Sequence, residues 1–200
     1  MKKILVSTLF LSLFLILGCQ KENNEVLYTT LPEEAENNIE QIQEDNNVEQ
    51  TQVDEFTINF KGKLISLHDW DNEVDLDQVF GKPLSQDIVE LADSFTGSLL
   101  KKIKYDGLEM ELFSPLGNGK NFWIMTMNIS KTGYTTSKGI ELGSTDQEVK
   151  DAYPDIKIAK DGRTVPNNFA YEINDDQYNY LQFEIKDGLV TQIKIFHLIP

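Results

Sequence analysis

The chain has 200 residues, a net charge of −15 and two histidines. A surface of that sign repels nucleic-acid phosphates, which are held by clustered Lys and Arg, and is pushed from anionic lipid headgroups; a basic or neutral protein partner is compatible with it. Cys19 is the single cysteine, so no disulfide can form within the chain and any fold must be held by its core.

Lys2 and Lys3 give a positive start, Ile4 to Leu17 an apolar run, and Ile16-Leu17-Gly18-Cys19 a small-residue junction. The run falls short of the about 20 residues a membrane-spanning helix needs and has the layout of an export signal. An ordinary secretory signal fits the charge and length, but it does not require a cysteine directly after glycine. This order resembles the lipobox of bacterial lipoproteins. The resemblance implies removal of residues 1–18, acylation of Cys19 with palmitate-type chains, and a mature chain held outside the cytoplasmic membrane. One acyl chain anchors marginally, whereas the two or three of such lipoproteins anchor stably. Gln20, where an aspartate would signal inner-membrane retention, implies the outer membrane in a Gram-negative host; in a Gram-positive host the address is the outer face of the cell membrane. Loss of Lys2 and Lys3 takes the net charge from −15 to −17.

Residues 19–54 read as the lipidated cysteine and a disordered acidic tether. Residues 20–54 hold ten acidic side chains, one lysine (Lys21) and many asparagines and glutamines, too little apolar surface to offset ordering entropy. A short helix over 32–42 is an alternative, because Pro32, Glu33 and Glu34 suit a first helical turn.

From residue 55 large apolar residues become frequent, and about 146 residues are enough for one stable core. Phe56-Thr57-Ile58-Asn59-Phe60 and Leu64-Ile65-Ser66-Leu67 flank Lys61-Gly62-Lys63 as a leading hairpin. Asp75, Leu76, Val79 and Phe80 predict a short helix stopped by Gly81 and Pro83. Leu84 to Phe95 predicts a second helix with Ile88, Val89, Leu91 and Ala92 inward. Leu108, Met110 and Leu112 alternate with polar residues as a strand, and Phe122 to Ile129 follows as another. Ser144 or Thr145 caps a helix running to Tyr153-Pro154. Leu181, Phe183 and Ile185 alternate in turn, and Lys186-Asp187-Gly188 links them to a strand over Leu189 to Phe196. The two alternating strands match at an offset of 73, with halves at about 55–130 and 131–200. The fold class expected is α+β: short helices packed on one face of an antiparallel sheet, in two tandem copies of one module.

Gly139-Ile140-Glu141-Leu142-Gly143-Ser144-Thr145, then Glu148-Val149 and Ala152-Tyr153-Pro154, resembles a phrase of small exported lipoproteins in which Leu-Gly leads into a capped helix. The likeness is to the beta-lactamase inhibitor protein and small outer-membrane assembly lipoproteins of similar fold. The first half departs from it, with His68-Asp69-Trp70-Asp71 where Leu-Gly would stand. The resemblance implies protein binding across an exposed sheet face, without catalysis; it assigns no contact residue.

Asp69, Asp71, Glu73, Asp75 and Asp77 alternate as calcium-loop oxygens do. Val74 occupies the place of the required glycine, however, and Phe80 that of the bidentate glutamate, so an acidic loop before a helix N-terminus is the expectation. His68 and His197 lack metal-site spacing, and Gly117-Asn118-Gly119-Lys120 lacks phosphate-loop spacing. The chain is accordingly expected to hold no catalytic set, metal or cofactor. Alternation places Trp123, Met125, Met127 and Ile129 in the core, and Phe122, Ile124, Tyr180 and Phe196 on an opposite, otherwise polar face. Large aromatics on such a face suit recognition of another envelope or secreted protein, although an ordinary solvated face has scattered apolar groups too. The alternative is a solute- or glycan-binding lipoprotein with an aromatic pocket.

Overall fold

The computed structural model describes residues 54–115, 119–163 and 165–200. The signal segment, Cys19, the tether with its alternative helix, and Gly117-Asn118 lie outside the described residues. In chain order the elements are β1 (Thr57–Phe60), β2 (Lys63–Ser66), α1 (Leu76–Phe80), β3 (Ser85–Glu90) and a 3-10 turn (Asp93–Phe95). There follow β4 (Leu99–Tyr105), β5 (Leu108–Ser114), β6 (Trp123–Ile129) and β7 (Thr135–Thr136). The chain ends with α2 (Asp146–Ala152), β8 (Lys157–Ile158), β9 (Asn168–Asn174), β10 (Asn179–Lys186) and β11 (Leu189–His197).

The strands form an eight-stranded sheet in the order β3-β4-β5-β6-β11-β10-β9-β8 and a three-stranded sheet β2-β1-β7, with all pairings antiparallel. A helix followed by a four-strand meander thus occurs twice, and the two meanders meet where β6 pairs with β11. Each meander also has a β-bulge at the same place. The register shifts between Glu111 and Leu112 on β5 and between Glu184 and Ile185 on β10, pairs of positions 73 residues apart.

This architecture corrects the α+β expectation. Among the described residues strand accounts for 46% and helix for 10%, and the covering layer is largely a second sheet rather than packed helices. The largest single change is at Leu84 to Phe95. The expected second helix is β3 and a 3-10 turn, and Ile88, expected inward, is 47% exposed. A six-residue ladder to β4 outweighs a local helical spacing that buries nothing, and β-branched Ile88-Val89 suits a pleated backbone. Four strands stand in each meander where the alternation showed two.

The capping signals, by contrast, coincide with helix ends. Asp75 Oδ1 accepts from the Gln78 N–H at 2.9 Å to open α1. Thr145 and Glu148 form a reciprocal capping box on α2. The leading hairpin turns at Lys61-Gly62 and the β10–β11 hairpin at Asp187-Gly188, all four residues at positive φ.

One face of the large sheet is buried beneath the small sheet and the two helices. Leu108, Met110, Leu112, Met127, Ile129, Leu181, Phe183, Ile193 and Ile195 face inward, meeting Ile58, Ile65, Leu76, Val149 and Tyr153. Each fully buried side chain of this size contributes about 1.5–3 kcal/mol. Rings knit the layers together: Phe60 stacks on Tyr134 at 4.6 Å, Phe80 meets Phe60 at 5.4 Å and Tyr105 at 5.1 Å, and Tyr153 meets Phe183 at 5.4 Å.

Candidate protein-interaction face

The other face of the large sheet is mostly polar. Lys102 pairs with Glu111 and Lys104 with Glu109 across β4 and β5, and Gln182 donates to Glu172 across β10 and β9. Arg163 reaches in from a loop to Glu184, and its pairing with Asp161 and Glu184 holds its pKa above the ordinary value.

Of the four apolar residues expected on this face, two are there. Tyr180 and Phe196 are cross-strand partners whose rings stack 4.9 Å apart at 8°, and Lys194 Nζ lies 4.6 Å from the Phe196 centroid. Phe122 and Ile124 are not. They are 2% and 1% exposed and belong to the core. The reason is the bulge opposite Glu111/Leu112, where Glu111 pairs with Thr126 and Leu112 with Ile124, leaving Met125 unpaired. One extra residue reverses the side-chain alternation beyond it, so Met127 and Ile129 face inward with Ile124 and Phe122. Trp123, expected in the core, stands outward and half-buried.

What alternation could not show is the chain of rings around Trp123. The segment after β2 lies along the start of β6. His68 N–H donates to Ile124 O and Ile124 N–H to Asp69 O, both at 2.9 Å, and Asp71 N–H donates to Phe122 O at 2.9 Å. His68, at φ 67, is thereby set against Trp123 at 5.1 Å and His197 at 4.9 Å between ring centroids. Trp123 also meets His197 and Phe113, both at 5.5 Å, and Phe113 meets Phe95 at 6.3 Å. All five of these contacts are edge-on, a geometry aromatic pairs prefer. The result is an aromatic belt at one end of the sheet, where β5 ends, β6 begins and β11 ends, while the Tyr180–Phe196 stack is a separate pair one residue along β11, where side chains alternate in face.

His197 is tied into this belt by polar contacts. Its Nδ1 is 2.9 Å from Asn179 Oδ1, and Asn179 Nδ2 donates to Asp175 Oδ2 at 2.9 Å. Burial, helped by His68, pulls the His197 imidazole below its ordinary pKa, against the opposing charge of Asp175. The two histidines, far apart in sequence and unremarkable there, are therefore direct neighbours.

The acidic run has a structural use. Asp69 Oδ2 accepts from Ser66 N–H at 2.8 Å, and burial raises the Asp69 pKa. Asp71 pairs with Lys101 and accepts from Phe122 N–H at 2.9 Å; Asp77 accepts from Tyr105 Oη at 3.3 Å. With Asp75 capping α1, four of the five carboxylates have protein partners. Among the described residues no three His, Cys, Asp or Glu are gathered to hold a metal ion. A cleft of about 400 Å³ lies here, lined by Asp71 to Asp77, Gln86, Lys101, Ile103 and Tyr105; carboxylates, rather than the rings of the belt, dominate its wall.

No protein-family model matches the chain, and no curated protein and no solved structure matches it either.

Proposed function

We propose that the chain is a lipid-anchored, extracytoplasmic module without catalytic activity that binds another envelope or secreted protein through the polar face of its eight-stranded sheet. The observation that supports this most directly is the half-buried Trp123 and the Tyr180–Phe196 stack on a sheet face that the described second layer does not cover. Half-exposed Trp, Tyr and Phe anchor protein interfaces, and a polar rim around them sets register. The lipobox-like junction at Cys19 and the acidic stretch behind it fit a domain carried away from a membrane surface, with the net negative charge favouring a basic or neutral partner.

Two experiments test the reading separately. Metabolic labelling with an alkynyl palmitate analogue is expected to mark the chain and to lose the mark in Cys19→Ser; an unmarked wild-type chain refutes the anchor. A photo-crosslinking residue at Gln182, on the proposed binding face, is expected to trap a protein in intact cells that the same probe at Lys150 on α2 does not. Phe196→Ala should abolish that adduct, and equal trapping at both positions refutes the face.

A further inference from the structure

His68 and His197 are the two histidines of the chain, and their rings lie 4.9 Å apart between centroids with planes at 75°. With metal–nitrogen bonds of about 2.0 Å, two imidazoles on adjacent corners of one ion have centroids roughly 4.5–5 Å apart, so the pair already stands at ligand spacing. Polar contacts fix the orientation of one ring. Asp175 is anchored by the N–H groups of Gln177 and Asn179, both at 2.9 Å. A carboxylate accepts only, and Asp175 takes Asn179 Nδ2–H at 2.9 Å, which leaves Asn179 Oδ1 to accept from His197 Nδ1–H at 2.9 Å. His197 is thereby held as the Nδ1–H tautomer, with its lone pair on Nε2. Asn179 and His197 are register partners on β10 and β11. Nδ1 therefore points toward β10, and Nε2 toward the opposite neighbour, β6, along which the His68 segment lies. His68 itself is exposed, and the torsion that turns its ring is soft.

We propose that His68 and His197 form a two-histidine site for a cupric ion, with His197 Nε2 as the preset ligand, His68 as the adjustable one and water at the remaining positions. Paired imidazoles select the class of metal. They suit zinc, copper, iron and nickel, whereas calcium and magnesium take oxygen ligands. Two protein ligands impose little geometry, so preference follows the general order of divalent affinities, in which copper stands highest. Structural zinc sites use four protein ligands, and among the described residues no third His, Cys, Asp or Glu joins this pair. The site is accordingly open and its ion exchangeable. The line from Asp175 through Asn179 to His197 is the outer hydrogen bonding that metal-bound histidines generally have, and Asn179, itself buried, is a positioning residue. The surrounding charge has the right sign. Asp69 adjoins His68 in the chain, Asp175 stands behind His197, and the chain as a whole has a charge of −15, a field that concentrates cations. Trp123 meets the two rings at 5.1 Å and 5.5 Å, and Trp70, the other tryptophan, is bridged to it, so indole fluorescence reports on the site.

The test titrates the full chain carrying Cys19→Ser, in which no thiol competes, with Cu(II) alone. Tryptophan emission is expected to be quenched to saturation at one equivalent, with electron paramagnetic resonance showing two nitrogen ligands. His68→Asn, which keeps a residue tolerant of the positive φ there, and His197→Gln are each expected to weaken binding at least about tenfold. Asn179→Ala keeps both ligands and is expected to weaken binding by about 10–100-fold, a change that a merely packing role would not produce. Because Asn179→Ala can fail to fold, the variant at exposed His68 decides independently. Zn(II) and Ni(II) are expected to displace Cu(II) only in excess. No quenching, or quenching equal in the wild type and both histidine variants, overturns the inference. So does a resonance signal from oxygen ligands alone, or displacement of Cu(II) by an equal concentration of Zn(II).

Discussion

Asp71 ties the segment after β2 to the start of β6 beside the aromatic belt, and its removal can be worked through quantitatively. Its two oxygens serve the Lys101 ammonium and the Phe122 N–H, and both charged side chains are largely enclosed, at 14% and 13% exposure. Lys101 Nζ also lies 4.2 Å from the Phe122 ring centroid. Asp71→Ala leaves a mostly buried cation without its anion and a backbone donor without its acceptor, a loss of about 3–5 kcal/mol. At about 2–4 °C per kcal/mol for a domain of this size, the midpoint falls by roughly 6–20 °C. Lys101→Met in the same chain removes the stranded charge while keeping an apolar stem over Phe122. The double variant should then lose only the cost of the orphaned N–H, about 1–3 kcal/mol, so that Lys101→Met restores about 2 kcal/mol to the Asp71→Ala chain, and the loss in Lys101→Met alone adds to the coupling. Urea unfolding followed by far-UV circular dichroism measures all four corners of the cycle. Near-UV dichroism reports whether Trp70 and Trp123 lose their fixed surroundings with Asp71. A double variant as unstable as Asp71→Ala alone, or a single loss below about 1 kcal/mol, refutes the argument that the pair is enclosed and coupled.

Three further outcomes follow from the same geometry. His197 has a depressed folded-state pKa, whereas in the unfolded chain it protonates near 6.5. Below that value the unfolded state binds the extra proton, so this contribution to stability is intact above about pH 6.5 and is lost as the pH falls toward the folded pKa. Thermal midpoints at about pH 7.5 and about pH 5.5 should therefore differ less in His197→Gln than in the wild type, and an unchanged difference refutes the coupling. Ile124→Ala should cost about 2–5 kcal/mol in urea unfolding and Phe196→Ala at most about 1; the reverse order would return Ile124 to the surface. Gly107 sits at φ +80 with Lys131 Cβ 2.2 Å from where a Cβ would be placed, so Gly107→Ala should lose about 1–3 kcal/mol, measured by its urea midpoint.

How far the sequence reaches is clearest in β6 and β4. The strand at Phe122 to Ile129 is visible as a strand, but its faces are not, because the alternation assumes uninterrupted pairing. The unpaired Met125 moves Ile124 and Phe122 into the core and Trp123 outward. In β4 the inward positions are Leu99, Lys101, Ile103 and Tyr105. A lysine in that series hides the period, since its burial depends on Asp71, 30 residues away. The candidate site suffers more. Tyr180 and Phe196 were legible as outward aromatics, whereas Trp123 meets His197 because β6 pairs with β11, and His68 joins them because the segment after β2 pairs with β6.

The sequence by itself determined the local features: both helix caps, the tight turns at Lys61-Gly62 and Asp187-Gly188, and the two hairpins that share a 73-residue spacing. These rest on side chains and dihedrals within a few residues of one another, so short-range chemistry decides them. Tertiary structure alone decided that Leu84 to Phe95 contributes an edge strand rather than a helix, which face of β6 looks outward, and that two distant histidines flank one tryptophan. Each of these depends on hydrogen bonds or ion pairs between segments that no local pattern relates, and the free energy of those pairings exceeds the weak preferences of the residues that make them.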